Sequence, residues 1–267
     1  MIDMFRAYIY KLFRSPLAYV GVIGVIALCC TNFLQRDALY YHADVIYNTE
    51  ILLDFGVFRK VAAVFGAFGF TANFADEWTS GVTIGCVIQK GIRRYAVVNL
   101  LFCWFTALLT VFFGMMIFMG ALSLFIPVYL PDGNPLGLTV FDVFLQKGQA
   151  WIYLTLRILV FSSSCALWAV MGMLLSVFLP NKFAALCAPF VICYVAEQLS
   201  YMLPTDLNVF LMSLSRVGFE GSPFPRVSME TALLGLLCCM GVFVLASVVC
   251  GLVFYVFVRK RVQNELT

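Results

Sequence analysis

Long apolar stretches separated by short polar segments form the dominant pattern of the chain. Each stretch is close to the roughly 20 residues that an α-helix needs to cross the hydrocarbon core of a membrane. The six stretches are Pro16–Phe33, Gly56–Ala75, Ala96–Leu122, Trp151–Leu179, Phe183–Leu203 and Thr231–Val258. The pattern therefore predicts an all-α, polytopic membrane protein in which residues 1–267 form one transmembrane domain with six transmembrane helices.

Three segments depart from a simple span. In residues 1–14 the apolar side chains recur on one helical face and the charged ones lie largely elsewhere, which predicts an amphipathic helix at the membrane interface. Residues 204–230 mix apolar residues with Gly and Pro and predict an outer-leaflet or extracellular helical loop. Residues 95–130 lack charged side chains, so the third helix must tilt, overshoot the bilayer or fold back near Pro127.

Composition and charge agree with membrane insertion and predict an orientation. Hydrophobic residues make up 63% of the chain, and the mean hydropathy is +0.98, whereas soluble domains are about 45–50% apolar. Of the 17 Lys and Arg residues, we assign ten to the side of the termini and six to the other side. The positive-inside rule then predicts that both termini are cytoplasmic in a plasma-membrane protein. A net charge of +3 is too small to indicate nucleic acid.

Metal-dependent chemistry lacks candidate ligands in the sequence. His42 is the only histidine, and the ten cysteines show no metal-ligand spacing, so we interpret the cysteines as small apolar residues. An intramembrane metalloenzyme would need clustered His, Glu or Asp side chains, but only Glu197 lies deep in a predicted span. The sequence therefore predicts neither a catalytic site nor a metal site.

Residues 76–94, between the second and third spans, concentrate charge in a chain that is only 12% charged. The charged residues are Asp76, Glu77, Lys90, Arg93 and Arg94. The run TSGVTIGCVIQKG between them is compatible with a short helix, with Thr79 or Ser80 available to cap it. Two interpretations stay open at this point: a solvated loop that satisfies the positive-inside rule, or a surface helix that contacts a soluble partner.

The stretch FADEWTSGVTIGCVIQKGIRRY also carries a recognisable spacing of Phe, Glu, Gly and Arg. The residues concerned are Phe74, Glu77, Gly81, Gly91 and Arg94. Together with the order of the spans, this spacing resembles the ABC-type-2 transporter permease family, whose members carry F-x-x-E-x-x-x-G-T, then a Gly or Pro, an Arg and the next span. Thr83 departs from that pattern, because it stands two residues after Gly81 where the family usually has threonine directly after the glycine.

The resemblance implies a permease in which this loop is the coupling helix that binds a cytoplasmic ATPase subunit. Glu77 would begin the helix, and Gly81 and Thr83 belong to the same motif. Apolar side chains would contact the ATPase or the membrane surface, namely Val82, Ile84, Val87 and Ile88. Lys90, Arg93 and Arg94 would anchor the segment at the inner interface.

Energy must come from a partner, because the chain has no G-x-x-x-x-G-K-[ST] loop to bind phosphates. ATP and Mg²⁺ would therefore bind to the ATPase subunit, and this chain would need no cofactor. The resemblance also implies a second permease copy or a related permease, and export of a peptide antibiotic, drug or lipid. Spans rich in Phe, Met and Leu suit an amphipathic or apolar cargo. The alternatives are a non-transporting anchor or sensor subunit, or a secondary transporter.

A few ionisable residues lie within the predicted spans. Glu197 would lie roughly 22 Å above the inner boundary, and Lys60 would lie at roughly 24 Å. Charges at such depth usually pair or face water. We therefore predict that Glu197 pairs with Lys60 or Arg59, whereas Arg157 would lie too close to the outer interface.

Overall fold

A computed structural model of the chain describes residues 2–34, 44–54, 56–130, 139–200, 202 and 228–266. The regular elements in these residues are α-helices. They are α1 (Ile2–Arg14), α2 (Pro16–Leu34), α3 (Val45–Asp54), α4 (Gly56–Ala67), α5 (Asn73–Thr79), α6 (Val82–Lys90), α7 (Ile92–Leu122), α8 (Asp142–Gln146), α9 (Ala150–Phe178), α10 (Lys182–Ser200) and α11 (Met229–Leu266). The all-α prediction is thus confirmed for the part of the chain that the structure describes.

Four of these helices, α7, α9, α10 and α11, are long and apolar enough to cross a membrane. Residues 5–14 of α1 and 16–31 of α2 form a further candidate, although the two segments are bent by 61° from each other. The chain is therefore a helical protein with about four candidate membrane-spanning helices. Residues 2–14 do form one helix, and the predicted loop at 204–230 lies almost entirely outside the described residues.

The second predicted span, Gly56–Ala75, is not one continuous helix. Its first part forms α4, whose 12 residues extend only about 18 Å. The chain then turns over residues 68–72 before α5 begins. Gly69 allows the turn to lie against α7, because a Cβ atom there would come within 3.2 Å of Thr106 Cβ. The turn directs α5 and its polar residues back into the protein.

Helix α9 lies at the centre, with α4, α7, α10 and α11 packed around it. The buried apolar side chains form three groups along the bundle. The first joins Phe74, Tyr95 and Phe254, the second joins Val25, Phe58, Met115 and Ile158, and the third joins Ile46, Phe141 and Tyr153. Helices α1, α5 and α6 and the last turns of α11 lie at the first group, which we call the α6 end. Helices α3 and α8 lie at the opposite end.

Close packing of α2 against α7 depends on Gly114. A Cβ atom at this position would come within 2.7 Å of the Val25 Cβ atom and 3.2 Å of the Val22 carbonyl oxygen. Val25 is fully buried and cannot move aside without disturbing its neighbours.

We expect Gly114→Ala to lower the free energy of unfolding by about 1–3 kcal/mol, because the added methyl group forces α2 and α7 apart. Gly120→Ala on the same helix is the matched control, since a Cβ atom there meets nothing within 4 Å. It should be neutral or stabilise the helix by up to about 1 kcal/mol. Thermal unfolding of the two purified variants in detergent measures the difference, and equal melting temperatures would contradict the packing assignment.

Candidate functional site

The sequence-predicted coupling segment contains a buried carboxylate, Glu77, in the last turn of α5. Only 6% of this residue is exposed. Its carboxylate accepts hydrogen bonds from Tyr95 Oη at 2.8 Å, Tyr8 Oη at 3.1 Å and Asn73 Nδ2 at 2.8 Å. Lys11 Nζ lies 3.8 Å away and supplies a positive charge. A buried carboxylate needs this number of donors, because its desolvation is otherwise very costly.

A second layer of hydrogen bonds joins these donors to one another. Asn99 Nδ2 donates to Tyr8 Oη at 3.3 Å and to the Tyr95 carbonyl oxygen at 3.0 Å. Asn73 Nδ2 lies 3.3 Å from Asn99 Oδ1, and Lys11 also donates to Asn73 Oδ1. The Thr83 hydroxyl lies 3.4 Å from Tyr95 Oη. We call this set the Glu77 cluster: Tyr8, Lys11, Asn73, Glu77, Thr83, Tyr95 and Asn99.

The Glu77 cluster connects four helices that are separate in the sequence. Tyr8 and Lys11 come from α1, Glu77 from α5, Thr83 from α6 and Tyr95 from α7. In a buried network of this kind each hydrogen bond polarises its neighbours, and the whole set fixes one arrangement of the elements. The cluster therefore holds the short helix α6 in place from inside the protein.

The position of Glu77 corrects one prediction. Glu77 was expected to begin the coupling helix and to contact the partner. It lies in the last turn of α5 instead and is buried, and its carboxylate is connected to α6 through Tyr95 and Thr83. Thr83 itself is fully buried, so the threonine that departs from the family spacing has a structural role here.

Helix α6 is started by backbone conformation and not by a side-chain cap. Its N-cap, Gly81, has a φ angle of 73° and makes no side-chain capping bond, a conformation that glycine adopts without strain. The predicted caps are wrong, because the hydroxyls of both Thr79 and Ser80 donate to the Asp76 carbonyl oxygen and close the end of α5. Gly91, with a φ angle of 83°, ends α6 and begins α7.

Two faces of α6 have opposite surroundings. Thr83 is buried, and Cys86 and Val87 pack against the first apolar group. Val82 and Ile88 are 48% and 67% exposed. Val87 is thus partly covered by the core, whereas Val82 and Ile88 are accessible. Burial, and next the Glu77 carboxylate, raise the pKa of the Cys86 thiol, so this cysteine is a poor nucleophile.

Basic side chains surround the exposed face of α6. Lys90 lies in its last turn, where a cation interacts favourably with the helix dipole. Arg93 and Arg94 follow in the first turn of α7 and are exposed, and Ile84 on α6 is partly buried. The exposed surface of α6 thus carries two apolar side chains, Val82 and Ile88, and three positive charges follow at its C-terminal end.

Further contacts join α5 to the ends of the long helices. Asp76 Oδ1 forms an ion pair with Lys182 Nζ of α10 at 3.1 Å. The Arg261 guanidinium of α11 lies 4.5 Å from the ring centre of Trp78 and donates to the Val177 carbonyl oxygen of α9. The α6 end therefore contacts α9, α10 and α11 as well as α7.

Sequence reasoning missed most of the Glu77 cluster. Two signals were present: Asn73 and Glu77 are four residues apart, as are Tyr95 and Asn99, so each pair shares one helical face. The partner on α1, Tyr8, gave no signal, because it lies 69 residues from Glu77.

A second group of charged residues lies within the bundle. Lys60 Nζ contacts the Glu197 carboxylate, the arrangement that the depth argument predicted, and it also lies 5.1 Å from the Tyr194 ring centre. Arg59 does not pair with Glu197 but donates to the Leu53 carbonyl oxygen at 3.4 Å.

Arg157 has an acidic partner of its own, Glu50 on α3. The Arg157 Nε atom donates to Glu50 Oε1 at 2.6 Å, and Tyr153 Oη donates to the same oxygen at 2.9 Å. Both charged side chains are largely buried. This pair fixes α3 against α9 at the opposite end of the bundle.

Among the described residues, no group of three or more His, Cys, Asp and Glu side chains has the arrangement of a metal site. Comparison of the chain with protein-family models, with curated protein sequences and with solved structures finds no match.

Proposed function

We propose that this chain is the membrane-spanning permease subunit of an ATP-driven exporter and that α6 binds a separate cytoplasmic ATPase subunit. One observation carries the proposal: α6 is fixed from inside by the Glu77 cluster while Val82 and Ile88 stay exposed. A short helix that transmits force must be held firmly on one face and present a contact surface on the other.

The proposal includes six crossings and an orientation. Helix α4, the turn at residues 68–72 and α5 together form the second crossing, and α2 forms the first, with α1 at the membrane interface. Basic residues at the α6 end favour a cytoplasmic position for both termini. They include Lys90, Arg93 and Arg94 beside α6, and Arg259, Lys260 and Arg261 near the end of α11.

The partners and cargo follow from the same assignment. ATP and Mg²⁺ bind to the ATPase, and a second permease copy or a related permease completes the translocation path. Exposed Phe, Leu and Val side chains on α7, α10 and α11 suit an amphipathic or apolar cargo such as a peptide antibiotic, a drug or a lipid.

The test uses Ile88→Asp, because this side chain is 67% exposed and its replacement leaves the core intact. The chain is purified together with the ATPase subunit that co-isolates with it, and ATP hydrolysis is measured in nanodiscs. In the complex this aspartate would be buried against the ATPase subunit. It should lower complex formation and permease-dependent ATP hydrolysis at least about tenfold. Leu124→Asp is the matched control, at an 82% exposed position two residues beyond the far end of α7.

Equal activity of Ile88→Asp and the unaltered chain would contradict the role of α6. A complex that loses hydrolysis in Ile88→Asp but moves no cargo in its unaltered form would indicate the sensor subunit instead of the exporter.

A further inference from the structure

One basic residue inside the bundle has no acidic partner among the described residues. The Arg59 guanidinium carries five N–H donors, and its one hydrogen bond in the described part of the chain is that to the Leu53 carbonyl oxygen at 3.4 Å. Lys60 forms an ion pair with Glu197, and Arg157 forms one with Glu50. Arg59, Lys60 and Glu197, which we call the Arg59 cluster, therefore carry one net positive charge.

The three charges of the Arg59 cluster lie together around α10. Lys60 Nζ contacts Glu197 of α10, and Arg59 is the residue before Lys60 on α4. Gly56 brings α4 close enough for this contact, since a Cβ atom there would lie 3.0 Å from Glu197 Oε1. The cluster is thus a compact feature built by two helices.

The depth of the Arg59 cluster makes an uncompensated charge unfavourable. Arg59 lies three residues, about 5 Å, after the start of α4. On the proposed second crossing it therefore lies just inside the hydrocarbon, where ionised side chains require an anion or water.

The cluster is accessible from the lipid-facing surface. Arg59 is partly exposed, and Val57 and Tyr194 beside it are 62% and 48% exposed. Val191 and Val195 continue an apolar surface along α10. A ligand at this place would meet a cation next to a surface suited to hydrocarbon chains, and an arginine reaches toward the interface along its own aliphatic stem.

We propose that the Arg59 cluster binds the anionic headgroup of a membrane amphiphile, with a phosphate on the guanidinium and the acyl chain along Val57 and α10. Arg and phosphate form strong, charge-assisted hydrogen bonds. The inference is independent of the ATPase, because binding at equilibrium needs no ATP.

The experiment compares two lipids of equal chain length, lysophosphatidylglycerol and lysophosphatidylcholine, on the purified full chain in an uncharged maltoside detergent. Native mass spectrometry measures the dissociation constants. The unaltered chain should bind lysophosphatidylglycerol with a dissociation constant about tenfold lower than that for lysophosphatidylcholine. Arg59→Gln should make the two dissociation constants equal. Glu197→Gln raises the net charge of the cluster and should strengthen the preference, an effect opposite to that of general structural damage. Lys147→Gln, at an exposed basic position, is the matched control.

Equal binding of the two lipids, or an unchanged preference in Arg59→Gln, would overturn the proposal. Displacement of lysophosphatidylglycerol by equimolar inorganic phosphate would show a site for a free anion and overturn the assignment to an amphiphile. Loss of a dimer in Arg59→Gln without any lipid preference would show that an acidic group of a second copy fills the site instead.

Discussion

Replacement of Glu77 by alanine should lower the free energy of unfolding by about 3–5 kcal/mol, an effect expected when one partner of a buried charged network is removed. The change leaves the hydroxyls of Tyr8 and Tyr95 and the amide of Asn73 without their acceptor. Unsatisfied buried donors each carry a desolvation penalty of about 1–3 kcal/mol. Thermal unfolding of the purified protein in detergent measures the loss.

The adjacent residue supplies the control for this experiment. Asp76 makes an ion pair with Lys182 in which both side chains are more than one third exposed, so Asp76→Ala should cost less than about 1 kcal/mol. Similar losses in the two variants would show that Glu77 is not held as described. On the proposed function, the Glu77 variant should also lower permease-dependent ATP hydrolysis, because the hydrogen-bonded connection from Glu77 through Tyr95 to Thr83 of α6 is broken.

Lys60→Met and Glu197→Gln should each destabilise the protein by about 3 kcal/mol, because each removes one side of an ion pair within the bundle. The two losses should differ in size. Glu197→Gln removes the one negative charge that offsets the two cations of the Arg59 cluster, whereas Lys60→Met leaves one cation, Arg59, and one anion, Glu197. The glutamate variant is therefore expected to be the less stable one.

A double-mutant cycle tests whether these two residues interact. The double variant should recover part of the summed loss, because a neutral pair replaces a broken ion pair, and the interaction free energy should exceed about 0.5 kcal/mol. Melting temperatures of the four proteins in the same detergent give this value. Strictly additive losses would mean that the two side chains are stabilised by other groups.

Apolar runs without charge predicted the long helices well. The stretches Ala96–Leu122 and Trp151–Leu179 correspond to α7 and α9 within a few residues, since an uninterrupted apolar run has few alternatives to a buried or membrane-spanning helix. The segment before α4 contains a helix that the apolar pattern did not predict. In this helix, α3, Glu50 pairs with Arg157, 107 residues away.

One part of the charged interior was predictable, because position along the spans was enough to pair two residues. Lys60 and Glu197 were matched by counting residues from the membrane boundary, because two opposite charges at one depth have a strong reason to pair. Glu77 was misjudged for the converse reason. A carboxylate beside Asp76 in a charged segment is ordinarily exposed, and its tyrosine partners lie 69 and 18 residues away. No local pattern contains that information.

The two glycines that bound α6 have a mechanical consequence. Gly81 and Gly91 both adopt positive φ angles, and nothing lies within 4 Å of the position that a Cβ atom would take at either one. Because the space around both positions is open, it is the backbone conformation and not packing that requires glycine there. Any other residue at either position would strain the backbone. The angles at which the chain enters α6 from α5 and leaves it for α7 are therefore set by two single residues.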